Sequence, residues 1–279
     1  MQVIKMNLLD KETEHGFMPT MTGYIVDGNP NETELRPAVV ITPGGGYWGV
    51  TYKEGERIAL SYSAAGFHVF IVNYCVFPHR EPLPLLNVAK AIELVRENAE
   101  QWQVDPEKIA VCGFSAGGHL AASVSTMWND ESIFSSDKEQ NKLHRPNASI
   151  LCYPVITSGE FANTGSFKNL TGSETRNEKW IAYSVENRVD DETPPAFLWH
   201  TFSDPAVPVE NSMLYAKALR EHQIPFEMHI YPDGGHGLCA VSDETYWKKP
   251  KFLRKYPWID LSIEWLYILF GISKFDSLE

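Results

Sequence analysis

A serine between two glycines, in the pentapeptide Gly113-Phe-Ser115-Ala-Gly117, is the feature of this sequence that most directly predicts chemistry. An apolar run at 109–112 precedes it, and an alanine-rich segment with apolar residues at helical spacing follows it. A strand, a sharp turn with a central serine and a helix form the context in which G-x-S-x-G presents a nucleophile. Glycines suit such a turn because a side chain would crowd the backbone where strand and helix nearly touch. The pattern predicts a nucleophilic hydroxyl at the N-terminus of a helix, where partial positive charge favours an oxyanion.

A serine hydroxyl needs a general base and an acid that orients the base, and the chain offers both in the order Ser, Asp, His. Asp204 follows an apolar run at 196–201, and His236 lies in a glycine-rich loop after another run at 226–231. Side chains beyond the carboxyl ends of parallel strands meet at one edge of a sheet. We therefore predict Ser115, Asp204 and His236 as a catalytic triad. Asp233 is an alternative acid, but its place on the histidine's own loop makes the reach awkward.

Three glycines, Gly44 to Gly46, follow an apolar run at 38–42 that has the composition of a strand buried on both faces. Glycines let a loop turn its N–H groups inward. The amides of Gly45 and Gly46, with that of Ala116, are therefore predicted to form an oxyanion hole for acyl transfer. A phosphate-cradling loop is disfavoured because no Lys-Ser or Lys-Thr follows the glycines.

The other histidines and the cysteines are predicted to be structural. His119 lies on the helix after Ser115 and should point away from the hydroxyl, whereas His200 and His229 lie within predicted strands and should be packing residues. The four cysteines form no C-x-x-C pair and mostly lie in apolar runs, as buried reduced thiols do. The sequence therefore predicts neither a metal site nor an organic cofactor.

These motifs resemble the α/β-hydrolase fold family, in particular the branch of hormone-sensitive-lipase-like and acetylxylan-esterase-like carboxylesterases. The similar segments are PGGGYW, NYCVFPHREPLPLLNVAKAIELVRENAEQWQVDPEKIAVCGFSAGGHLAAS and SDPAVPVENSMLYAKALREHQIPFEMHIYPDGGHGL, which lie within about residues 36–240. The resemblance implies the same triad and the same oxyanion donors as the motifs themselves. One departure is Pro43, which stands where the family's HGGG motif has a loop-bracing histidine.

The resemblance and the composition favour a serine carboxylesterase that hydrolyses short acyl esters, acetyl above all, of sugars or xylo-oligosaccharides. Tyr47 and Trp48 directly follow the oxyanion loop and are predicted to bind the substrate. Further aromatic residues are expected either to overhang the site or to anchor their segment to the sheet: Phe161, Phe167, Trp180 and Tyr183. Cleavage of a glycosidic bond would need a pair of carboxylates across that bond, and the sequence supports no such pair.

Two other functions stay open at this point. An aminopeptidase-like serine hydrolase would need an anchor for a free amine, which Glu174 or Glu186 could offer. A non-enzymatic ligand-binding protein on the same fold is the second alternative. Such proteins usually lack a member of the triad, and here none is missing.

Apolar runs alternate with segments of helical periodicity, which predicts an α/β-hydrolase fold with a mostly parallel sheet and helices on both faces. The expected strands are residues 2–9, 22–27, 38–42, 68–76, 109–112, 149–155, 196–201 and 226–231. Besides the helix after Ser115, the expected helices are residues 54–65, 85–102, 211–222 and most of 247–270. We predict one domain over residues 1–279, with an insertion at about 158–193 over one end of the sheet.

Charge and composition limit the partners of the chain. Its 279 residues carry a formal net charge of −12, which argues against nucleic acid or an anionic membrane. Without a signal-peptide pattern or an apolar run of membrane-spanning length, we expect a cytoplasmic protein that acts on small-molecule esters, and a homodimer stays open. A basic patch near the C-terminus is expected to be a solvated face: Lys248, Lys249, Lys251, Arg254 and Lys255.

Overall fold

An eight-stranded sheet is the centre of the computed structural model, which describes residues 1–27, 35–239 and 256–272. Its strands are β1 (Gln2–Asn7), β2 (Thr20–Ile25), β3 (Arg36–Thr42), β4 (His68–Asn73), β5 (Val104–Phe114), β6 (Ala148–Cys152), β7 (Ala196–Thr201) and β8 (Phe226–Tyr231). Their order across the sheet is β1-β2-β4-β3-β5-β6-β7-β8. β2 pairs antiparallel with both β1 and β4, and every pair from β4 to β8 is parallel.

Helices connect the strands and cover the sheet. In the described residues they are α1 (Glu56–Ala64), α2 (Leu83–Glu97), α3 (Ala99–Trp102), α4 (Ala116–Met127), α5 (Lys138–Asn141), α6 (Thr164–Thr171), α7 (Glu178–Ala182), α8 (Glu210–Glu221) and α9 (Trp258–Phe270). The prediction of a mostly parallel sheet with helices on both faces is confirmed.

Apolar residues of the central strands alternate between two clusters, one on each face of the sheet. In β3, Ala38 and Val40 belong to one cluster, and Val39 and Ile41 belong to the other. The first cluster includes residues of α2, α4 and α8, and the second includes residues of α1 and α9. Because these strands are buried on both faces, their sequences are continuous apolar runs rather than alternating patterns.

Two predicted helices differ from the structure. The helix expected over 54–65 begins only at Glu56, and Glu54 belongs to a separate turn before Gly55. The helix expected over 85–102 begins at Leu83 and is interrupted at Asn98, which separates α2 from α3. The Asn98 side chain donates a hydrogen bond to the carbonyl of Leu94 at 2.8 Å, a local bond of the kind that competes with helix continuation.

Some predictions concern residues outside the described ranges. The first part of the expected C-terminal helix, residues 247–255, lies there, as does the basic patch Lys248, Lys249, Lys251, Arg254 and Lys255. The segment 158–193 contains α6 and α7, and its status as an insertion in a single domain stays a prediction. None of the helices in the three described ranges has both the length and the apolar character that a bilayer crossing requires.

Candidate active site

The turn between β5 and α4 holds Ser115 in a strained backbone conformation, with φ 54° and ψ −119°. Two close backbone approaches make this turn specific for glycine. A Cβ atom on Gly117 would lie 2.0 Å from the carbonyl oxygen of Thr42, and one on Gly113 would lie 2.2 Å from that of Gly117. The glycines of the motif therefore allow the strand, the helix and the neighbouring strand to meet at this point.

The structure brings Ser115, His236 and Asp204 together in a chain of hydrogen bonds. Ser115 Oγ lies 2.7 Å from His236 Nε2, and His236 Nδ1 lies 2.7 Å from Asp204 Oδ2. Asp204 and His236 lie on the loops after β7 and β8, so three strand ends supply the three side chains. Within the described residues, the alternative acid Asp233 forms no hydrogen bond with His236, and its backbone carbonyl accepts one from Tyr256.

The carboxylate of Asp204 is held by donors on both oxygens. Oδ1 accepts hydrogen bonds from the backbone amides of Ala206 at 2.9 Å and Val207 at 3.0 Å. Oδ2 lies near His200 Nε2, at 3.4 Å, as well as near His236. Burial raises the pKa of Asp204, but the hydrogen bonds from His200, His236 and Val207 outweigh it and hold that pKa well below its usual range. Asp204 is therefore ionised in the folded protein at moderate pH.

His200 is more than the packing residue that its place in a strand suggested. It is fully buried, and its Nε2 faces both Asp204 Oδ2 and the carbonyl of Val207, which lies 3.0 Å away. Because both neighbours of Nε2 are acceptors, the proton sits on Nε2, and Nδ1 accepts from the hydroxyl of Ser212 at 2.8 Å. A histidine within a predicted apolar strand gave no signal of this contact.

The glycine loop after β3 lies against the serine, since a Cβ on Gly44 would come within 3.0 Å of Ser115 Cβ. Gly45 and Gly46 have φ of 137° and 63°, conformations that favour glycine. In the described part of the chain, the amide of Gly44 is bound by a side chain, whereas those of Gly45, Gly46 and Ala116 bind no protein acceptor. The predicted oxyanion donors are thus available, and both glycine amides are candidates.

Glu54 is a site residue that the sequence did not reveal, because it was expected to begin a helix. Its side chain is buried, with the residue only 5% exposed. Oε2 accepts hydrogen bonds from Gly44 N at 2.6 Å and Thr51 Oγ1 at 2.7 Å, and Oε1 accepts one from the hydroxyl of Tyr153 at 2.7 Å. A carboxylate thus lies directly behind the glycine loop.

The structure corrects the predicted substrate contact of Tyr47. This side chain is 1% exposed, and its hydroxyl lies 2.8 Å from His119 Nδ1, so it has no surface to offer a substrate. The imidazole of His119 also lies 2.7 Å from the carbonyl of Tyr183 and makes no bond to Ser115 Oγ, as its predicted structural role requires. Burial lowers the pKa of His119 to about 4, so the ring is neutral near pH 7.

The aromatic residues of segment 158–193 anchor it instead of facing a substrate. Phe167, Trp180 and Tyr183 are buried, and the rings of Phe167 and Trp180 stack with centroids 5.3 Å apart. The anchoring alternative considered for these residues therefore holds for all three, and Phe161 is partly buried. The aromatic surface next to the oxyanion loop is formed by residues outside this segment.

Trp48 and Phe77 form that surface. Trp48 is 66% exposed, and its ring stacks on Phe77 with centroids 4.7 Å apart and planes at 19°. The amide of Phe77 donates to the carbonyl of Tyr47 at 2.8 Å, which ties this stack to the loop. The guanidinium of Arg80 lies over the other ring, 4.7 Å from the centroid of Phe77. Trp48 was predicted as a substrate contact, whereas Phe77 was not.

Each glutamate considered as an anchor for an amine has a partner, although Glu186 Oε2 is buried without a hydrogen-bond partner among the described residues. Glu174 lies on the surface and forms a salt bridge of 3.0 Å with Lys168. Glu186 accepts a hydrogen bond from the hydroxyl of Ser184 at 2.9 Å. In the ranges that the structure describes, no group of three His, Cys, Asp or Glu side chains is arranged to hold a metal ion.

Comparison with known proteins identifies the family. The BD-FAE family matches residues 26–219, which is more than half of the chain. The chain belongs to the BD-FAE family. The predicted resemblance to α/β-hydrolase carboxylesterases is thereby confirmed.

Two relatives are similar to this chain in sequence. Endo-1,4-beta-xylanase B of Butyrivibrio fibrisolvens is 35% identical over 86% of this chain, and an acetylxylan esterase of Xylanibacter ruminicola is 36% identical over 72%. This BD-FAE chain spans only 38% and 41% of the length of these two relatives.

The structural neighbours match nearly end to end. An acetyl ester-xyloside bifunctional hydrolase from Caldicellulosiruptor lactoaceticus is 37% identical, with a TM-score of 0.82 and 96% of each chain covered. A carboxylesterase from Lactobacillus plantarum is 26% identical, with a TM-score of 0.80, and the match covers 98% of this chain and 99% of that one. Both similarities agree with the predicted α/β-hydrolase fold.

Proposed function

We propose that this BD-FAE protein is a serine carboxylesterase that removes short acyl groups, acetyl above all, from sugar-like alcohols. The observation that carries the proposal is the hydrogen-bonded series Ser115–His236–Asp204, with both contacts at 2.7 Å, beside a glycine loop whose amides are available. An imidazole that contacts both a serine hydroxyl and an ionised carboxylate is the arrangement that activates serine.

In the proposed reaction, Ser115 Oγ attacks the ester carbonyl while its proton moves to His236 Nε2. Asp204 accepts the hydrogen bond of Nδ1–H, which holds the ring in the required tautomer and stabilises the imidazolium. The negative charge that develops on the carbonyl oxygen is stabilised by the amide of Ala116 and by those of Gly45 and Gly46. His236 then donates its proton to the leaving alcohol, and water hydrolyses the acyl-serine by the same steps in reverse.

The sugar-like alcohol is supported by the relatives and by one surface feature. Proteins named as an acetylxylan esterase and an acetyl ester-xyloside hydrolase are among those most similar to this chain. The exposed face of Trp48 beside the oxyanion loop is a flat aromatic surface of the kind that packs against sugar rings. The buried aromatic residues of segment 158–193 cannot provide such a surface to a substrate.

A chain-length series of nitrophenyl esters, run beside acetylated xylose and xylo-oligomers, tests the proposal. We expect kcat/KM to fall from acetyl to octanoyl and acetate to be released from the sugars, with activity lowered by about four orders of magnitude or more in Ser115→Ala. Nitrophenyl β-xyloside belongs in the same panel, because one neighbour is named as bifunctional. A rise in kcat/KM toward octanoyl without acetate release would reduce the proposal to a general esterase.

A further inference from the structure

Glu54 is a buried carboxylate that the proposed reaction does not use. Its three hydrogen-bond donors, Gly44 N, Thr51 Oγ1 and Tyr153 OH, are all neutral. A buried charge is costly unless hydrogen bonds compensate it, so such a group is retained where its geometry is needed.

The first oxygen, Oε2, holds the oxyanion loop. It binds the amide of Gly44, whereas the next two amides of the loop bind no protein acceptor in the described residues. It also binds Thr51, whose own amide donates to the carbonyl of Gly44 at 2.9 Å. The residue before Gly44 is Pro43, which has neither an N–H group nor a polar side chain that could brace the loop.

The second oxygen, Oε1, holds the ring behind the histidine. It accepts from the hydroxyl of Tyr153, whose buried ring packs edge-on against His236 with centroids 5.0 Å apart. Burial, with a further contribution from the negative charge of Glu54, raises the pKa of Tyr153 well above its usual value. The hydroxyl therefore keeps its proton and acts as the donor in this bond.

We propose that Glu54 is a positioning residue that bridges the two halves of the active site, with one oxygen fixing the oxyanion loop and the other fixing Tyr153 against His236. The inference rests on the proposed function and concerns the same site. A bridge of this kind matters for catalysis because oxyanion donors and base must be placed relative to each other, and small misplacements are costly.

The length of the side chain and its charge can be separated by two substitutions. Glu54→Asp keeps the charge but withdraws the carboxylate by about 1.5 Å, so that it cannot reach Gly44 and Tyr153 together. Glu54→Gln keeps the length. Its oxygen can accept from Gly44 and Thr51, and its NH2 group can donate to the hydroxyl of Tyr153, which is able to accept. Exposed Glu56, in the first turn of α1, provides matched controls in Glu56→Asp and Glu56→Gln.

The experiment measures kcat and KM for nitrophenyl acetate and the affinity for a boronic acid that forms a tetrahedral adduct with the serine. For Glu54→Asp we expect kcat to fall by about thirtyfold or more with little change in KM, and boronate affinity to fall in parallel. For Glu54→Gln the loss should stay within about fivefold, and the Glu56 variants should match wild type. Tyr153→Phe, which keeps the ring, should lower kcat by a few-fold.

Several results would overturn the inference. Wild-type kcat in either Glu54→Asp or Tyr153→Phe would do so, as would a larger loss in Glu54→Gln than in Glu54→Asp, since the charge rather than the reach would then matter. A loss in kcat that followed Tm without a change in boronate affinity would indicate a merely structural role. The first measurement compares ester hydrolysis by wild type with that by Ser115→Ala, and a difference between the two is required. Its absence would overturn the proposed function, and this inference with it.

Discussion

The two loops that meet at Ser115 are held in place by different means. The turn between β5 and α4 is held by backbone packing, because Gly113 and Gly117 lie too close to neighbouring carbonyls for any side chain. The loop after β3 is also closely packed at Gly45, where a Cβ would lie 2.1 Å from the carbonyl of Gly49, but it is held in addition by a side chain, the carboxylate of Glu54. Steric constraints of the first kind appear in a sequence as glycines at fixed positions, whereas a bracing carboxylate leaves no such mark. The glycines of both loops are therefore readable from sequence, whereas the carboxylate that braces the second loop is not.

Removing the hydroxyl of Ser115 breaks the chemistry of the first loop while leaving its shape. Ser115→Ala keeps the Cβ atom at the same backbone conformation, so the fold should be unchanged. We expect kcat/KM for short acyl esters to fall by about four orders of magnitude or more, with only binding and oxyanion contacts left to act. Assays of nitrophenyl acetate with purified variant, folded by circular dichroism, check this, and near wild-type turnover would exclude Ser115 as nucleophile.

The choice of acid is tested by comparing Asp204→Asn with Asp233→Asn. The first substitution removes the charge that binds His236 Nδ1–H, and we expect kcat to fall by about three orders of magnitude. The second alters a carboxylate that makes no hydrogen bond to His236 in the described residues, and kcat should change by less than about twofold. Steady-state kinetics of both variants decide, and the reverse ranking would mean that the acid is misassigned.

The packing of the first loop is tested by Gly117→Ala, with Gly49→Ala as the control next to the second loop. A methyl group on Gly117 would lie 2.0 Å from the carbonyl of Thr42, whereas one on Gly49 would meet nothing within 4 Å. We expect Gly117→Ala to lower the free energy of unfolding by about 3 kcal/mol or more and Gly49→Ala to change it little. Urea titrations measure both, and equal stabilities would contradict the steric account.

His119, on α4, contacts the hydroxyl of Tyr47 after the glycine loop, and its burial predicts a dependence of stability on pH. Its pKa is lowered to about 4 in the folded chain, against 6.5 for an unperturbed histidine. Between these values the unfolded chain binds a proton that the folded chain excludes, so stability falls as the pH is lowered through this window. From about pH 7.5 to pH 5, wild type should lose about 2 kcal/mol more than His119→Gln in urea unfolding. Parallel losses in the two proteins would count against this explanation.

The smallest expected effect is that of His200, which contacts Asp204 as Glu54 contacts Gly44. His200→Phe removes the donor at 3.4 Å from Asp204 Oδ2 and keeps a ring of similar size. We expect kcat to fall by about tenfold, the usual range for one hydrogen bond to a charged group. His229→Phe on β8 is the matched control, because His229 binds Glu227 instead. Equal kcat in both variants would show that the contact with Asp204 has no catalytic consequence.

The buried strands and the candidate catalytic residues that follow them could be predicted because both depend on local sequence patterns. Apolar runs marked the buried strands, and the polar residues after them marked the edge where Ser115, Asp204 and His236 come together. Their catalytic roles remain a proposal that the geometry supports. The break at Asn98 was not predicted because the apolar spacing continues through it, and only a side-chain bond to Leu94 reveals the interruption.

Side-chain direction accounts for the remaining errors. Tyr47 and Trp48 are adjacent in the chain, yet one is buried against His119 and the other is exposed on Phe77. Composition treats both alike, since an aromatic residue after a glycine loop can turn either way. The bond between Glu54 and Tyr153 joins residues 99 apart in the chain. His200 and Asp204 are only four residues apart, but their contact depends on how the chain turns after β7, which the apolar pattern does not encode.

The position of His236 after β8 has a consequence for when the site exists. Ser115 and His236 are 121 residues apart, and in the described residues β8 pairs with β7 alone, at the edge of the sheet. Contacts of such large sequence separation form late in folding, and edge strands open more readily than central ones. The proposed esterase activity should therefore be the last native property to return on refolding and the first to disappear under mild denaturant, before the central strands lose their hydrogen-exchange protection.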